Sequence, residues 1–312
     1  MPEPDNWERQ TLEKLAFAAL QEQRRARHWS IFFKLLTLTY LFILLFIAMG
    51  WGKGDVGLGS HTALVNVDGV IGPSADTSAE KVISGLQDAF KDQKTKGVIL
   101  RINSPGGSPV QAGYINDEIR RLRAKNPKIP VYAVVEDICA SGGYYVAAAA
   151  DKIYVDKASL VGSIGVLMDG FGFTGTMEKF GVERRLIVSG DNKGFMDPFS
   201  PVDPEHQEYA QNMLQQIHQQ FIQVVRQGRG NRLKETPEMF SGLIWTGQAS
   251  IDLGLADALG STEYVAREVI KAEEIVDFTP QDAFSERFAK RLGVGMAKVW
   301  TQFFNVPSLR LN

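Results

Sequence analysis

The chain has 312 residues, 44% of them hydrophobic and 22% charged, and a formal net charge of −2. That composition leaves room for one sizeable core or two small ones, and so small a charge excludes a general electrostatic affinity for nucleic acid. One cysteine, Cys139, excludes an internal disulfide framework and a Cys-rich zinc site, and the four histidines (His28, His61, His206, His218) are scattered, so neither metal nor cofactor is expected.

Residues 8–23 have amphipathic spacing (Leu12, Leu15, Ala19), which predicts a short helix along a membrane face. Residues 31–51 follow as a nearly unbroken apolar stretch whose only charge, Lys34, lies near its end. At 1.5 Å per residue this stretch spans ~31 Å, enough to cross a bilayer. Thirty residues precede it and no Ala-x-Ala site follows, so an uncleaved transmembrane signal anchor is expected rather than a removed leader. Arg24, Arg25, Arg27 and Lys34 cluster on its N-terminal side. The positive-inside rule therefore puts residues 1–30 in the cytoplasm and the rest across the membrane.

Residues 52–61 read as a Gly-rich linker, and 62–279 as one domain in which strand and helix patterns alternate. Ala63–Val67 is a strand that Asp68-Gly69 turns into Val70-Ile71; residues 78–91 are helical. Gly97–Ile102 is a buried strand entering Asn103–Ser108, residues 110–124 are helical, and Pro130–Val135 is a strand feeding the loop to Ser141. The apolar run Val146–Ala150 reads as a buried helix; Ile153–Val155, Ile164–Leu167 and Arg185–Val188 read as strands. Pro204–Gln227 is a long helix, Thr246–Gly260 holds one ending at Gly254, and 261–272 is another. Residues 280–312 carry an amphipathic tail. Short strands separated by helices predict an α/β domain.

Ser141, in Ala140-Ser141-Gly142-Gly143, is the candidate nucleophile. A serine hydroxyl needs a positioned base, and no histidine lies in a Gly-rich loop; the best lysine candidate is Lys193, bracketed by Gly190 and Gly194, although with Asp191 and Asp197 nearby composition alone reads it as a surface-loop lysine. A lysine base must be neutral, which requires burial to lower an ordinary pKa of ~10.4 by several units. Cys139 reads as a buried core thiol. Two Gly-rich loops, at 103–108 and 141–143, each follow a strand and open a helix, a setting in which backbone N–H groups can cradle an oxyanion. Neither carries a nucleotide-binding fingerprint.

Leu100-Arg101-Ile102-Asn103-Ser104-Pro105-Gly106-Gly107, Ala140-Ser141-Gly142-Gly143-Tyr144-Tyr145, Val161-Gly162-Ser163-Ile164-Gly165-Val166, Lys193 with Pro198-Phe199, and Trp245-Thr246-Gly247 with Gly254-Leu255-Ala256-Asp257 closely resemble the blocks of the signal peptide peptidase A family, in its order. The resemblance is to the short, single-unit form. It implies a ClpP/crotonase-like spiral of ββα units preceded by a single N-terminal transmembrane helix, and a Ser/Lys-dyad serine peptidase. It assigns Ser141 as nucleophile, Lys193 as general base, Ser163 as the residue orienting the lysine, and Gly107 and Gly142 as oxyanion donors, with Gly106 the adjacent possibility. It further implies a homo-oligomeric ring whose dyad is shared between subunits, remnant signal peptides and other hydrophobic peptides as substrates, membrane lipid as a partner, and a bacterial inner membrane location with the catalytic domain on the outer side. The readings from other classes are a crotonase-type acyl-CoA enzyme and a non-catalytic membrane-associated ring scaffold.

Overall fold

The computed structural model describes residues 6–48 and 59–280, which fall into two compact units. The amphipathic tail expected over 280–312 lies outside the described residues except for Pro280, as does the linker except for Gly59, Ser60 and His61.

Among the described residues the first unit contains one helix, α1 (Asn6–Ala48), of 43 residues. The separate short helix expected over 8–23 is instead continuous with the apolar segment. Neither Gly nor Pro occurs between Asn6 and Ala48, and Ala, Leu, Gln, Glu and Arg dominate its first half, so nothing interrupts the hydrogen-bond ladder. Its Gln10–Phe46 portion has a mean hydropathy of 1.9 over its most apolar window, and α1 is the one helix among the described residues long and apolar enough to cross a membrane.

The second unit opens with β1 (His61–Ile71), α2 (Ala79–Lys91), β2 (Thr95–Gly107), α3 (Pro109–Lys125) and β3 (Val131–Ala140). β1 pairs in parallel with β2, and β2 with β3, each pair joined by a helical crossover. The capping is local: the Ser78 and Ser108 side chains accept the N–H groups of Lys81 and Gln111 at the first turns of α2 and α3, and Pro109 sits where a helix start tolerates it. Along the strands one set of residues (Val65, Val67, Leu100, Ile102, Ala133, Val135) enters the main core, while the alternate set (Leu64, Ile99, Val134) packs with Val265 and Ala266 on the other face. Burial on both faces explains why β2 reads as a continuous apolar run.

Next come α4 (Gly142–Ala147), β4 (Lys152–Val155), β5 (Leu160–Gly162), α5 (Thr174–Lys179), α6 (Pro204–Arg229), β6 (Ile244–Thr246), α7 (Gly247–Asp252) and β7 (Ala258–Leu259). A short helical stretch, α8 (Thr262–Tyr264), runs on as a π-helical turn through Ile270, and β8 (Ile275–Asp277) closes the unit. The sheet order is β6-β5-β3-β2-β1-β8, parallel except at β5–β6. β3 forks: Tyr132–Val134 pair with β4, which leads to β7, whereas Ile138–Ala140 pair with β5. The sheet divides between these contacts, and the branch ending at β5 carries the site.

Four expectations are corrected. Asp68-Gly69 does not reverse the chain; it makes an irregularity inside one strand, with Gly69 at φ 73°, after which Val70 resumes pairing opposite Gly106. The strand expected at Ile164–Leu167 lies instead at Leu160–Gly162, because Ser163 takes a positive φ and leaves the extended path. Arg185–Val188 has strand composition but forms no strand, since no sheet edge meets it; Ile187 is 95% exposed. The helix expected over 261–272 is shorter, ending at Ile270 before Lys271 turns left-handed.

Candidate active site

The site is built where two strands end side by side. β3 runs into Ser141, whose backbone (φ 50°, ψ −121°) lies in a region L-residues rarely occupy, and the chain then turns at once into α4. The Ser141 N–H donates to the Gly162 carbonyl at 2.9 Å, and the Ser141 carbonyl accepts from Tyr145 N–H at 2.9 Å, so strand, turn and helix are locked at this residue.

The 103–108 loop closes against it. Gly106 (φ 106°) has no room for a side chain: a Cβ there would stand 2.7 Å from both the Ser141 Cβ and the Gly142 nitrogen. Gly107 (φ 145°) is wedged on the other side, where a Cβ would run into the Ile71 carbonyl oxygen. A Cβ on Gly142 would lie 3.3 Å from the Gly107 nitrogen, so the two Gly-rich loops touch at these residues. The Gly106 N–H is committed, donating to Ser104 Oγ at 3.1 Å, while Ser104 Oγ donates to the Gly69 carbonyl at 2.6 Å.

Ser163 follows β5 with φ 50°, and its N–H donates to the Leu243 carbonyl at 2.7 Å. The carbonyl of the next residue, Ile164, is 3.1 Å from His218 Nε2 on α6. Gly162, before it, lies under the Trp245 ring; a Cβ would come within 2.7 Å of the indole.

Gly107, Ser141, Gly142 and Ser163 all line one cleft of about 960 Å³. Its walls are the α3 face of Val110, Tyr114 and Asp117 and the α6 face of Ile217 and Phe221, with the Tyr145 ring tilted by 41° against Phe221 at 5.1 Å between ring centres. A largely apolar trough beside a hydroxyl and converging backbone N–H groups suits an extended, apolar chain.

Lys193 is not brought to this cleft within the chain. It is exposed, in a turn where its N–H donates to the Gly190 carbonyl, and its amine has no hydrogen-bond or ion-pair partner among the described residues. The neighbouring Asp197 does not pair with it: the Ser200 hydroxyl bonds this carboxylate at 2.7 Å and Arg184 lies 3.4 Å away, and the Ser200 bond first, with the Phe199 N–H and Arg184, holds its carboxyl below the usual range against the opposing effect of burial. The Asn192 Oδ1 accepts from His206 Nε2 of α6 at 3.1 Å, and Phe195 packs edge-on against the same ring.

Cys139 is fully buried, and burial pushes its thiol far above the ordinary value, which removes it as a nucleophile. No group of three or more His, Cys, Asp or Glu residues suited to a metal occurs among the described residues. The sequence reading passed over His218, whose contact lies 54 residues away along the chain; its only signal is its place on the same helix as the cleft residues Ile217 and Phe221.

The sequence profile described as Peptidase family S49 matches residues 123–276. The chain is similar to the putative protease MJ0651 of Methanocaldococcus jannaschii, 34% identical over 216 residues, covering 68% of each chain. It is also similar to the putative signal peptide peptidase SppA of Enterococcus faecium, 30% identical over 223 residues, covering 69% of this chain and 64% of that protein. A third relative, named Na(+)/H(+) antiporter NhaA in Brucella melitensis biotype 1, is 46% identical over 175 residues, covering 56% of this chain. The chain spans only 24% of that relative's length.

Proposed function

Because this chain belongs to peptidase family S49, we propose that it is a membrane-anchored serine endopeptidase that cuts remnant signal peptides and similar apolar segments. The observation that carries the reading is Ser141, held at φ 50° between β3 and α4 and pressed against Gly106 on the floor of an apolar cleft.

In the proposed reaction Ser141 Oγ attacks the scissile carbonyl as the Lys193 amine takes its proton. The N–H groups of Gly107 and Gly142 receive the oxyanion, an interaction worth about 10²–10³ in rate per donor. The protonated amine then gives its proton to the leaving nitrogen, and water, deprotonated by the same lysine, releases the acyl group from Ser141. Gly107 is preferred over Gly106 because the Gly106 N–H already has Ser104 Oγ as its partner.

Lys193 reaches Ser141 from a second copy in this reading. Its exposure in the single chain supports this, since a lysine takes up a proton only when a dry environment keeps it uncharged. The exposed apolar residues that precede it in the chain (Phe180, Val182, Ile187) are surface that a neighbouring copy would cover. Ser163, beside Ser141 in the cleft, orients the amine.

The anchor is α1, with residues 1–30 in the cytoplasm and the catalytic unit on the outer side of a bacterial inner membrane. Arg24, Arg25 and Arg27 at the N-terminal flank of the apolar segment support that orientation.

The test is digestion of a synthetic signal peptide by the detergent-solubilised full chain, with products identified by mass. Wild type cuts within the apolar region and Ser141→Ala does not; equal cutting by both overturns the reading.

A further inference from the structure

We propose that His218 is a positioning residue for the reaction: it holds the loop that presents Ser163, and through Ser163 the lysine. The inference rests on the Ser141/Lys193 reading above.

Three bonds hold the backbone around Ser163. The Gly162 carbonyl accepts from Ser141 N–H, the Ser163 N–H donates to the Leu243 carbonyl, and the Ile164 carbonyl meets His218 Nε2. The first two come from strand neighbours and would accompany β-pairing in any case. The third is a side chain reaching across from α6, and a carbonyl can only accept, so Nε2 carries the hydrogen in this contact.

The tether acts where the chain is otherwise soft. Gly162 (φ 118°) and Gly165 flank Ser163 and Ile164, and glycine imposes little backbone preference of its own. Ser163 itself occupies a left-handed conformation that a serine does not hold unaided. The Ile164 side chain is fully buried, so a carbonyl losing its partner there has poor access to water and pulls the loop toward another arrangement. His218 does not line the cleft, although Ile217 before it does. It therefore acts one layer behind the substrate, on the geometry of the serine rather than on the peptide.

The measurement is steady-state cleavage of the synthetic signal peptide by full-length variants, with Ser141→Ala and Lys193→Ala run beside them. His218→Gln keeps an N–H donor near Nε2 and recovers most of the wild-type kcat. His218→Glu, of the same size but with no donor at neutral pH, and His218→Ala each lower kcat about tenfold, the cost of one positioning hydrogen bond, with KM within about twofold. In a Ser163→Ala background the His218 substitutions cause no further loss, because the group they position is gone. Losses that multiply in that background, a Gln variant as slow as Glu, or three variants all at the wild-type rate would each overturn the role of His218. Glu and Gln share a volume, so the comparison survives a general destabilisation by Ala. Turnover retained by Ser141→Ala or Lys193→Ala would instead bring down the dyad reading itself.

Discussion

Ser141 and Ser163 are the first residues past the ends of two paired strands. β3 and β5 pair Ile138 with Leu160, Cys139 with Val161 and Ala140 with Gly162, and the Ser141 N–H donates to the Gly162 carbonyl just before Ser163. Each leaves its strand at φ 50°. Backbone pairing thus brings the two serines to neighbouring strand ends, and the His218 contact with Ile164 holds the loop just past Ser163. A one-residue insertion between Val161 and Gly162 is expected to abolish cleavage, because a single-residue slip turns every following side chain to the opposite face. Far-UV circular dichroism should stay near wild type while turnover falls to background.

The close approach of the two glycine loops gives a second expectation. Gly106→Ala places a methyl group 2.7 Å from the Ser141 Cβ at a φ of 106°, where an L-residue is strained by about 1–3 kcal/mol before the clash is counted. Covalent labelling of Ser141 by a fluorophosphonate probe should be lost, with a melting temperature several degrees lower. Labelling at the wild-type rate would mean the loops do not need this contact.

If the dyad is shared between copies, complementation follows. Ser141→Ala and Lys193→Ala are each inactive, yet unfolded and refolded together in equal amounts they regain about a quarter of the wild-type activity, the chance that a heterologous contact joins an intact serine to an intact lysine. A dyad within one chain gives no recovery. Lys193→Arg alone is inactive, since a guanidinium does not give up its proton, and mixed with Ser141→Ala it recovers the same quarter of activity as Lys193→Ala does.

Away from the cleft, Asp257 ties α6 to the end of the sheet. Its carboxylate lies 2.7 Å from the Arg229 guanidinium, whose side chain is 1% exposed, and it also accepts from Ile153 N–H. Burial raises its pKa, but the bonds and charges of Arg229, Ile153 and Arg232 together outweigh burial and hold it below the usual carboxylate value. A carboxyl depressed in this way contributes its full stability above the unfolded value of 3.8 and loses it as the pH falls from there through the folded value. Asp257→Asn leaves a buried guanidinium unpaired and should cost about 3–5 kcal/mol at pH 7. In urea titrations that cost should shrink below pH 4.

The parts of the fold readable from residues were those set by local chemistry. Ser78 and Ser108 mark helix starts, the run through Ile99, Leu100 and Ile102 marks a strand covered on both faces, and Ser141 stands out by its glycines. What escaped reading depends on distant partners. The β-branched character of Ile187 and Val188 cannot say whether a sheet edge will meet them, and here none does. Ile164 has the same composition as a strand residue, but the left-handed turn at Ser163 just before it ends the pairing with β3. The contact of His218 with Ile164 depends on how α6 crosses the cleft, which no spacing along the helix reveals.

The unbroken course of α1 sets a length as well as a composition. At 1.5 Å per residue its 43 residues make a rod of about 65 Å, roughly twice the ~30 Å of a bilayer's oily interior. The surplus belongs to the charged half that holds Arg24, Arg25 and Arg27. In the proposed anchoring that surplus would stand clear of the bilayer as a stalk, and deleting one turn would shorten it by about 5.4 Å.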